Sequence, residues 1–401
     1  MPFLPILFGK RQRANSAAVT SEIAVSPVAD LTLQRYFNSM RFLLCMTERC
    51  NLSCAYCEKS HMLEKMPPDI NYTDDELIRF LKSFSELELE IYGGEPLLRT
   101  DLLEKLVREV PIKHFFVQTN GLLLDRVGRE LGEEVDVFSI SLDGPPQLTN
   151  RLRGKGVYER AIANAKSLRD RGYRGRVDVR MTISPGADIS TAVGHFLGEC
   201  EFSFAQIYWQ LNVLFHELSW KTEGPFVQHW LTKSYQPGIE KLAQQWGRAL
   251  EDGHLQQIVP FATLAHAMLT GEPAVGVRCG AGSSAYAIAT NGKVVPCPVM
   301  RFAPKWEVGD IRNPASFGTL PVVEVGAPCD SCDLLDLCGG RCLYANKKRM
   351  WPDEGFTLIC DTVRYLCDTV RINLPAVERA IAAGWLTIDE LDMSADYEVI
   401  P

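Results

Sequence analysis

Short apolar runs alternate along this chain with longer stretches in which apolar residues recur every three or four positions. The runs Arg41–Thr47, Leu87–Tyr92, His114–Thr119, Val135–Leu142, Val177–Ile183 and Ile207–Leu214 have strand length and read as buried parallel strands. Between them, about Asp74–Phe84, Asp101–Val110, Leu123–Leu131, Tyr158–Arg171 and Ser190–Glu199 read as amphipathic helices. Strands and helices in alternation imply a parallel sheet with helical crossovers. Six such units predict an α/β fold, a partial (β/α)6 TIM-like barrel, curved and partly open. Chemistry in such barrels gathers at the C-terminal ends of the strands.

Two helices, Val227–Glu251 and Gln256–Leu269, are predicted next, and then the pattern breaks. From Cys279 to Cys367 the chain is rich in Cys, Gly and Pro, with little periodicity. Ala285–Thr290, Asn291-Gly292 and Lys293–Val295 read as a hairpin with an Asn-Gly turn. A region this poor in apolar runs is expected to lean on metal for its stability. One helix, about Pro375–Ala383, and an acidic irregular end follow. The expected division is an N-terminal arm over 1–39, a barrel over 40–260, a cysteine-rich domain with a bridging helix over 261–367, and a tail over 368–401.

Charge and composition narrow the function. The chain has 42 basic and 50 acidic residues, a net charge of −8, which argues against non-specific nucleic-acid binding. No run of apolar residues is long enough for a membrane helix. The apolar start Met1 to Gly9 is short and its charges (Lys10, Arg11, Arg13) follow it, the reverse of a secretory signal, so a cytoplasmic location is expected. Thirteen cysteines, an odd number, then point to metal binding or catalysis rather than to disulfides.

Spacing decides which. Cys50-Asn-Leu-Ser-Cys54-Ala-Tyr-Cys57 directly follows the first strand. Three thiolates on one tight loop can hold three corners of a cuboidal iron–sulfur cluster and leave the fourth iron open. A zinc knuckle is the structural alternative, but zinc sites usually pair two C-x2-C hooks. Gly93-Gly94-Glu95-Pro96 ends the second strand, where glycines admit close approach of a ligand and a carboxylate can pair with an ammonium. Gln118-Thr119-Asn120-Gly121 and Ser139-Ile140-Ser141-Leu142-Asp143-Gly144 close the third and fourth strands with small polar groups that suit ribose hydroxyls, Ser141 foremost. Arg180 is an odd charge for a buried strand; it pairs either with a bound carboxylate or Glu95, or with an acid on the outer face. Asp143 is a weak candidate for a general base. Cys45 and Trp209 read as core, and His61, His216 and His229 as surface or core residues. Cys367, seven residues after Cys360, is a spare ligand candidate, and Cys200 has no assignment.

These motifs resemble the radical S-adenosylmethionine (SAM) superfamily, over roughly residues 40–367. The resemblance implies a [4Fe–4S] cluster on Cys50, Cys54 and Cys57, with SAM chelated to the open iron through its amino and carboxylate groups. It places Gly93, Gly94 and Glu95 at the SAM amino group, and Tyr56, Asn120, Ser141 and Arg180 around the cofactor. Reduction would cleave SAM to methionine and a 5′-deoxyadenosyl radical that takes a hydrogen atom from substrate. The ordered set Cys279, Gly292, Cys297, Cys329-x2-Cys332-x5-Cys338-x3-Cys342 and Cys360 is similar to the SPASM extension of that superfamily. By that likeness Cys329, Cys332, Cys338 and Cys360 hold an outer [4Fe–4S] cluster and Cys279, Cys297 and Cys342 an inner one, three clusters in all. Some relatives supply an eighth thiolate where this chain runs Gly280 to Tyr286, which leaves the inner cluster an open iron or a non-cysteine ligand. Members with this extension mostly modify peptides or proteins by thioether formation, carbon–carbon crosslinking, epimerisation or oxidation. A peptide or protein substrate and a low-potential donor of flavodoxin or ferredoxin type are therefore implied. The layout through Tyr397-Glu398-Val399-Ile400-Pro401 is similar to peptide-modifying members of methanogenic archaea. Anaerobic sulfatase maturation is the nearest rival, but that group carries Asp where this chain has Pro298. Two readings of another class are a non-enzymatic iron–sulfur electron carrier, which has no need of Gly93–Pro96, and a zinc-stabilised binding module.

Overall fold

The computed structural model describes residues 40–57, 66–213, 220–349, 351–393 and 399–401. The expected arm, His61 and His216 lie outside the described residues. Six strands form a parallel ladder in chain order: β1 (Met40–Cys45), β2 (Leu87–Tyr92), β3 (His114–Thr119), β4 (Val137–Ser141), β5 (Arg176–Ile183) and β6 (Ile207–Leu211). The uninterrupted order β6-β5-β4-β3-β2-β1, each step crossed by helix, is the partial barrel predicted above. The sheet continues past β1 into β7 (Ala285–Ile288), β8 (Lys293–Val295) and β9 (Gly309–Asp310).

Strand register sorts the side chains onto two unlike faces. Phe42, Leu89, Phe115, Val117, Phe138 and Val177 share one face. That face meets the helices: the ring of Phe42 lies edge-on to Phe80, from the helix Asp74–Leu81, and to Phe84 just beyond it, at 5.3 and 4.8 Å. The opposite face carries Glu90, Tyr92, Gln118, Ser139, Ser141, Asp178, Arg180 and Gln210. A polar concave face is what the apolar composition of the strands had hidden.

Local chemistry sets the helix ends. Thr73 and Glu76 cap the helix Asp74–Leu81 reciprocally. The helix expected over Leu123–Leu131 is instead a short tight turn, Leu124–Arg126, and a separate helix Arg129–Glu134, divided by extended Val127 and Gly128. Ser190–Glu199 proves to be Ile189–Gly194 continued by a widened turn, His195–Glu199. The helix expected from Val227 starts earlier, at Trp220, and runs with a widened turn at Leu231–Tyr235 into Gln236–Glu251.

In the cysteine-rich region the predicted hairpin forms between β7 and β8. Gly292 is left-handed (φ +81°) while Asn291 is not, and Ala289 N–H reaches Lys293 O at 2.9 Å. The connection is thus longer than the two-residue Asn-Gly turn expected. The short helix expected at Pro375 is the last part of one 30-residue helix, Asp353–Ala382, with Pro375 inside it. Proline favours a helix start, but buried Val370, Ala376 and Val377 on one face hold the helix continuous through it.

Candidate active site

The loop carrying Cys50, Cys54 and Cys57 leaves the C-terminal end of β1, and its neighbours clamp it. Gly94 N–H donates to Thr47 O at 2.7 Å and Glu95 N–H to Arg49 O at 2.8 Å, so the Gly-Gly-Glu-Pro segment is stitched to the approach of the loop. A Cβ on Gly93 would stand 2.5 Å from Thr47 O, and one on Gly94 only 1.8 Å from Arg49 O. These glycines therefore admit the loop backbone itself.

Glu95 is fully buried. Its carboxylate accepts from Thr119 Oγ1 at 2.7 Å, Leu97 N–H at 3.1 Å and Asn120 N–H at 2.8 Å, which fastens the end of β2 to the end of β3. Asn120 in turn reaches the loop: its Nδ2 donates to Asn51 Oδ1 at 2.7 Å and lies 3.8 Å from Cys50 Sγ.

The second clamp is one that sequence reasoning missed. Arg153, at the end of the helix Pro146–Arg153, forms a two-pronged pair with Asp143 (Nε to Oδ2 2.9 Å, Nη2 to Oδ1 2.7 Å). Tyr56 donates its hydroxyl to the same carboxylate at 2.9 Å, and Thr182 N–H adds a bond at 3.0 Å. The guanidinium stands 5.5 Å from the centre of the Tyr56 ring, and Ala55 N–H bonds Leu152 O at 2.7 Å. Asp143, the weak base candidate, is fully buried with its oxygens all engaged, so it anchors the loop and is not placed to take a proton from substrate. No sequence signal nominated Arg153, because its helix buries only Thr149 and Arg153 and has no apolar stripe.

The thiols of the loop lie within each other's fields. Burial raises the Cys54 thiol above its ordinary value, Arg153 opposes that, and Cys57 and Cys50 add to the rise. Three thiols on one short loop, with Arg153 acting on Cys54 and Asn120 beside Cys50, are of a kind that would suit an anionic iron–sulfur cluster, whose binding would displace their protons. Ser141 and Arg180 are paired across β4 and β5 on the concave face. The Arg180 guanidinium stacks on Tyr208 at 4.9 Å and sits 3.5 Å from Gln210 Oε1.

The C-terminal cysteines gather in two groups. Cys329, Cys332, Cys338 and Cys360 line one cavity of about 60 Å³, walled by Leu335, Phe356 and Ile359. Cys279 and Cys297 pack with Val277, Val295 and Leu343, and Cys342 belongs to both places. Cys329, Cys338 and Cys360 are raised chiefly by burial, with neighbouring thiols adding to the rise, Cys360 to about 11. Four thiols around one cavity, with two buried donors that have no acceptor among the described residues, fit a group of sulfur and iron. Cys367 is buried off the cavity wall, its thiol pushed up to about 12 by burial. Cys45 is a core thiol, likewise raised to about 12. Cys200 accepts from Tyr158 Oη at 3.5 Å, and Trp209 is fully buried with its indole on Tyr235 Oη at 2.9 Å. His229 is exposed.

One more contact spans the molecule. Arg301, four residues beyond Cys297, pairs with Glu48, two residues before Cys50, at 2.7 and 2.8 Å; Glu48 is buried and the Arg301 side chain is 9% exposed. It ties the first loop to the inner cysteine group.

Residues 44–195 match the Radical SAM superfamily model, so the clamped loop and the strands beneath it form a radical SAM domain. The curated relatives that match include GTP 3′,8-cyclase of Lactiplantibacillus plantarum, 38% identical over 108 residues, 25% of this chain and 32% of that one. The mitochondrial GTP 3′,8-cyclase of Arabidopsis thaliana is 29% identical over 168 residues, 39% of this chain and 43% of that one. The first of these matches thus spans about a third of the relative's length. Among solved structures, native anSMEcpe with bound AdoMet superposes with a TM-score of 0.66 at 19% identity, over 85% of this chain and 99% of that one. Streptococcus suis SuiB bound to S-adenosylmethionine superposes with a TM-score of 0.50 at 15% identity, over 79% and 76%. At such identities the likeness is one of fold.

Proposed function

We propose that this protein is a radical SAM enzyme that takes a hydrogen atom from a peptide or protein substrate to install a modification. The observation that carries the reading is the loop of Cys50, Cys54 and Cys57, held at the strand ends by Gly94, Asn120 and the Tyr56–Asp143–Arg153 network. A cluster and SAM held at that loop would supply radical chemistry for hydrogen abstraction. The chain's own residues orient and enclose. Cys50, Cys54 and Cys57 would hold the cluster, and Glu95 and Asn120 fix the ledge on which the cofactor's amino group would rest. The concave face, with Ser141 and Arg180, offers polar groups to the rest of the cofactor. Cys329, Cys332, Cys338 and Cys360 would hold an outer auxiliary cluster, and Cys279, Cys297 and Cys342 an inner one with a position to spare. A peptide substrate is supported by the fold shared with anSMEcpe, of which a complex with the Cp18Cys peptide superposes at a TM-score of 0.64.

A nucleotide substrate is the second reading, favoured by the GTP 3′,8-cyclase relatives. Both are tested in one experiment. Anaerobically reconstituted, dithionite-reduced protein is incubated with SAM, and 5′-deoxyadenosine is measured by chromatography with peptide pools or GTP added. Release that Cys54→Ala abolishes, and that peptides stimulate and GTP does not, is expected. Stimulation by GTP alone would move the substrate to the second reading. Iron-replete protein that releases no 5′-deoxyadenosine would end both.

A further inference from the structure

We infer that Arg341 and Trp351 donate hydrogen bonds to the sulfurs of a cluster in the C-terminal cavity and raise its reduction potential. The inference rests on the proposed reading of that cavity as a cluster site. Both side chains line the cavity beside Cys329, Cys332, Cys338 and Cys360. Arg341 Nη2 and Trp351 Nε1 are shielded from solvent and have no acceptor among the described residues, and the two residues are only 9% and 5% exposed. A buried donor left unpaired is costly, and a cationic one more so. Two such donors lining one cavity call for an acceptor inside it.

The backbone supports the same assignment. Arg341 sits in the left-handed region (φ +53°), directly after Gly339 (+69°) and Gly340 (+85°). A residue with a Cβ rarely adopts that conformation, so the arginine side chain is held there against its backbone preference. Its Nε is spent on Pro401 O at 2.8 Å, which fixes the plane of the guanidinium and leaves Nη2 over. Among the described residues no Asp or Glu side chain lines the cavity. Cysteine thiolates and inorganic sulfides on iron are anionic, sulfur-based acceptors that the four thiols would bring with them. A positive charge and N–H donors stabilise the reduced, more negative state more than the oxidised one. Potentials of such clusters follow net charge and hydrogen bonds to sulfur.

The test is an EPR-monitored redox titration of the reconstituted full-length chain, reading the signal that Cys332→Ala removes. Arg341→Gly takes away the guanidinium and suits the backbone; Trp351→Phe takes away the indole N–H and carries the test if the first variant fails to load. Each is expected to keep the parent's iron content and to move the midpoint to more negative potential. For Arg341→Gly the expected change is about tenfold in the reduction equilibrium, or 59 mV for one electron. Full iron with an unmoved midpoint in both variants overturns the inference and leaves the cluster reading standing. A parent protein with no signal that depends on Cys332 overturns the cluster reading, and the inference falls with it.

Discussion

A methyl group on Gly94 has no room, since Arg49 O would lie 1.8 Å away. Gly94→Ala must therefore push the loop off the strand end, and it should cost upwards of about 4 kcal/mol, in the range reserved for backbone clashes and core damage. Iron and sulfide content after reconstitution should fall together with the melting temperature. Arg153→Met leaves the Asp143 charge buried without its partner, which typically costs about 3–5 kcal/mol. Arg153→Lys should recover only part of that, because an ammonium cannot make the two-pronged pair. Urea unfolding of the metal-free chain reads both. The residue scale is also where sequence reading reached furthest and then stopped. Cysteine spacing nominates its ligands because a loop cannot change spacing without losing the cluster. Arg153 was invisible because a charge buried against one carboxylate leaves no periodic trace. Cys45 gives a pH test. Its thiol, raised chiefly by burial, holds its proton to about 12, while an unfolded thiol ionises near 9.0. Between those values the unfolded chain binds fewer protons, so stability falls as pH rises through that window and is intact below it. Cys45→Ala should flatten the fall in the free energy of urea unfolding between about pH 9 and about pH 10.5, by up to about 1.4 kcal/mol per pH unit.

Among the elements, the helix Asp353–Ala382 brings the C-terminal module together. It delivers Cys360 to the cavity wall and Val363 beside it, and its continuation lies along Gln236–Glu251, where Arg379 pairs with Glu251 and Tyr365 donates to Glu240 at 3.1 Å. Pro375 is exposed and supplies no N–H to the ladder. Pro375→Ala should raise stability by about 1–3 kcal/mol, seen as a higher melting temperature with unchanged iron content. A loss of stability there would mean that the proline sets a bend the packing needs. Strand existence was legible because β2 and β3 are short, apolar and bounded by turns. Helix ends were less so: Val127 and Gly128 split one expected helix by adopting extended backbone, which the apolar period does not record.

For the whole molecule, the Glu48–Arg301 pair makes the first loop and the inner cysteine group one mechanical body. Glu48→Gln or Arg301→Met alone should each cost about 3–5 kcal/mol. The double variant should cost clearly less than their sum, as a double-mutant cycle on the metal-free chain would record. An additive result would mean that the two ends are independent.

The ladder between β1 and β7, from Arg41 opposite Ala285 to Leu44 opposite Ile288, bears on how such proteins diversify. The cysteine-rich region is not a cassette hung on a linker, because its first strand finishes the edge of the barrel. A recombinant that grafts another enzyme's C-terminal portion onto this barrel inherits an obligation. The newcomer must present a parallel strand of matching length and small side chains to β1, or an apolar edge is left open to neighbouring molecules.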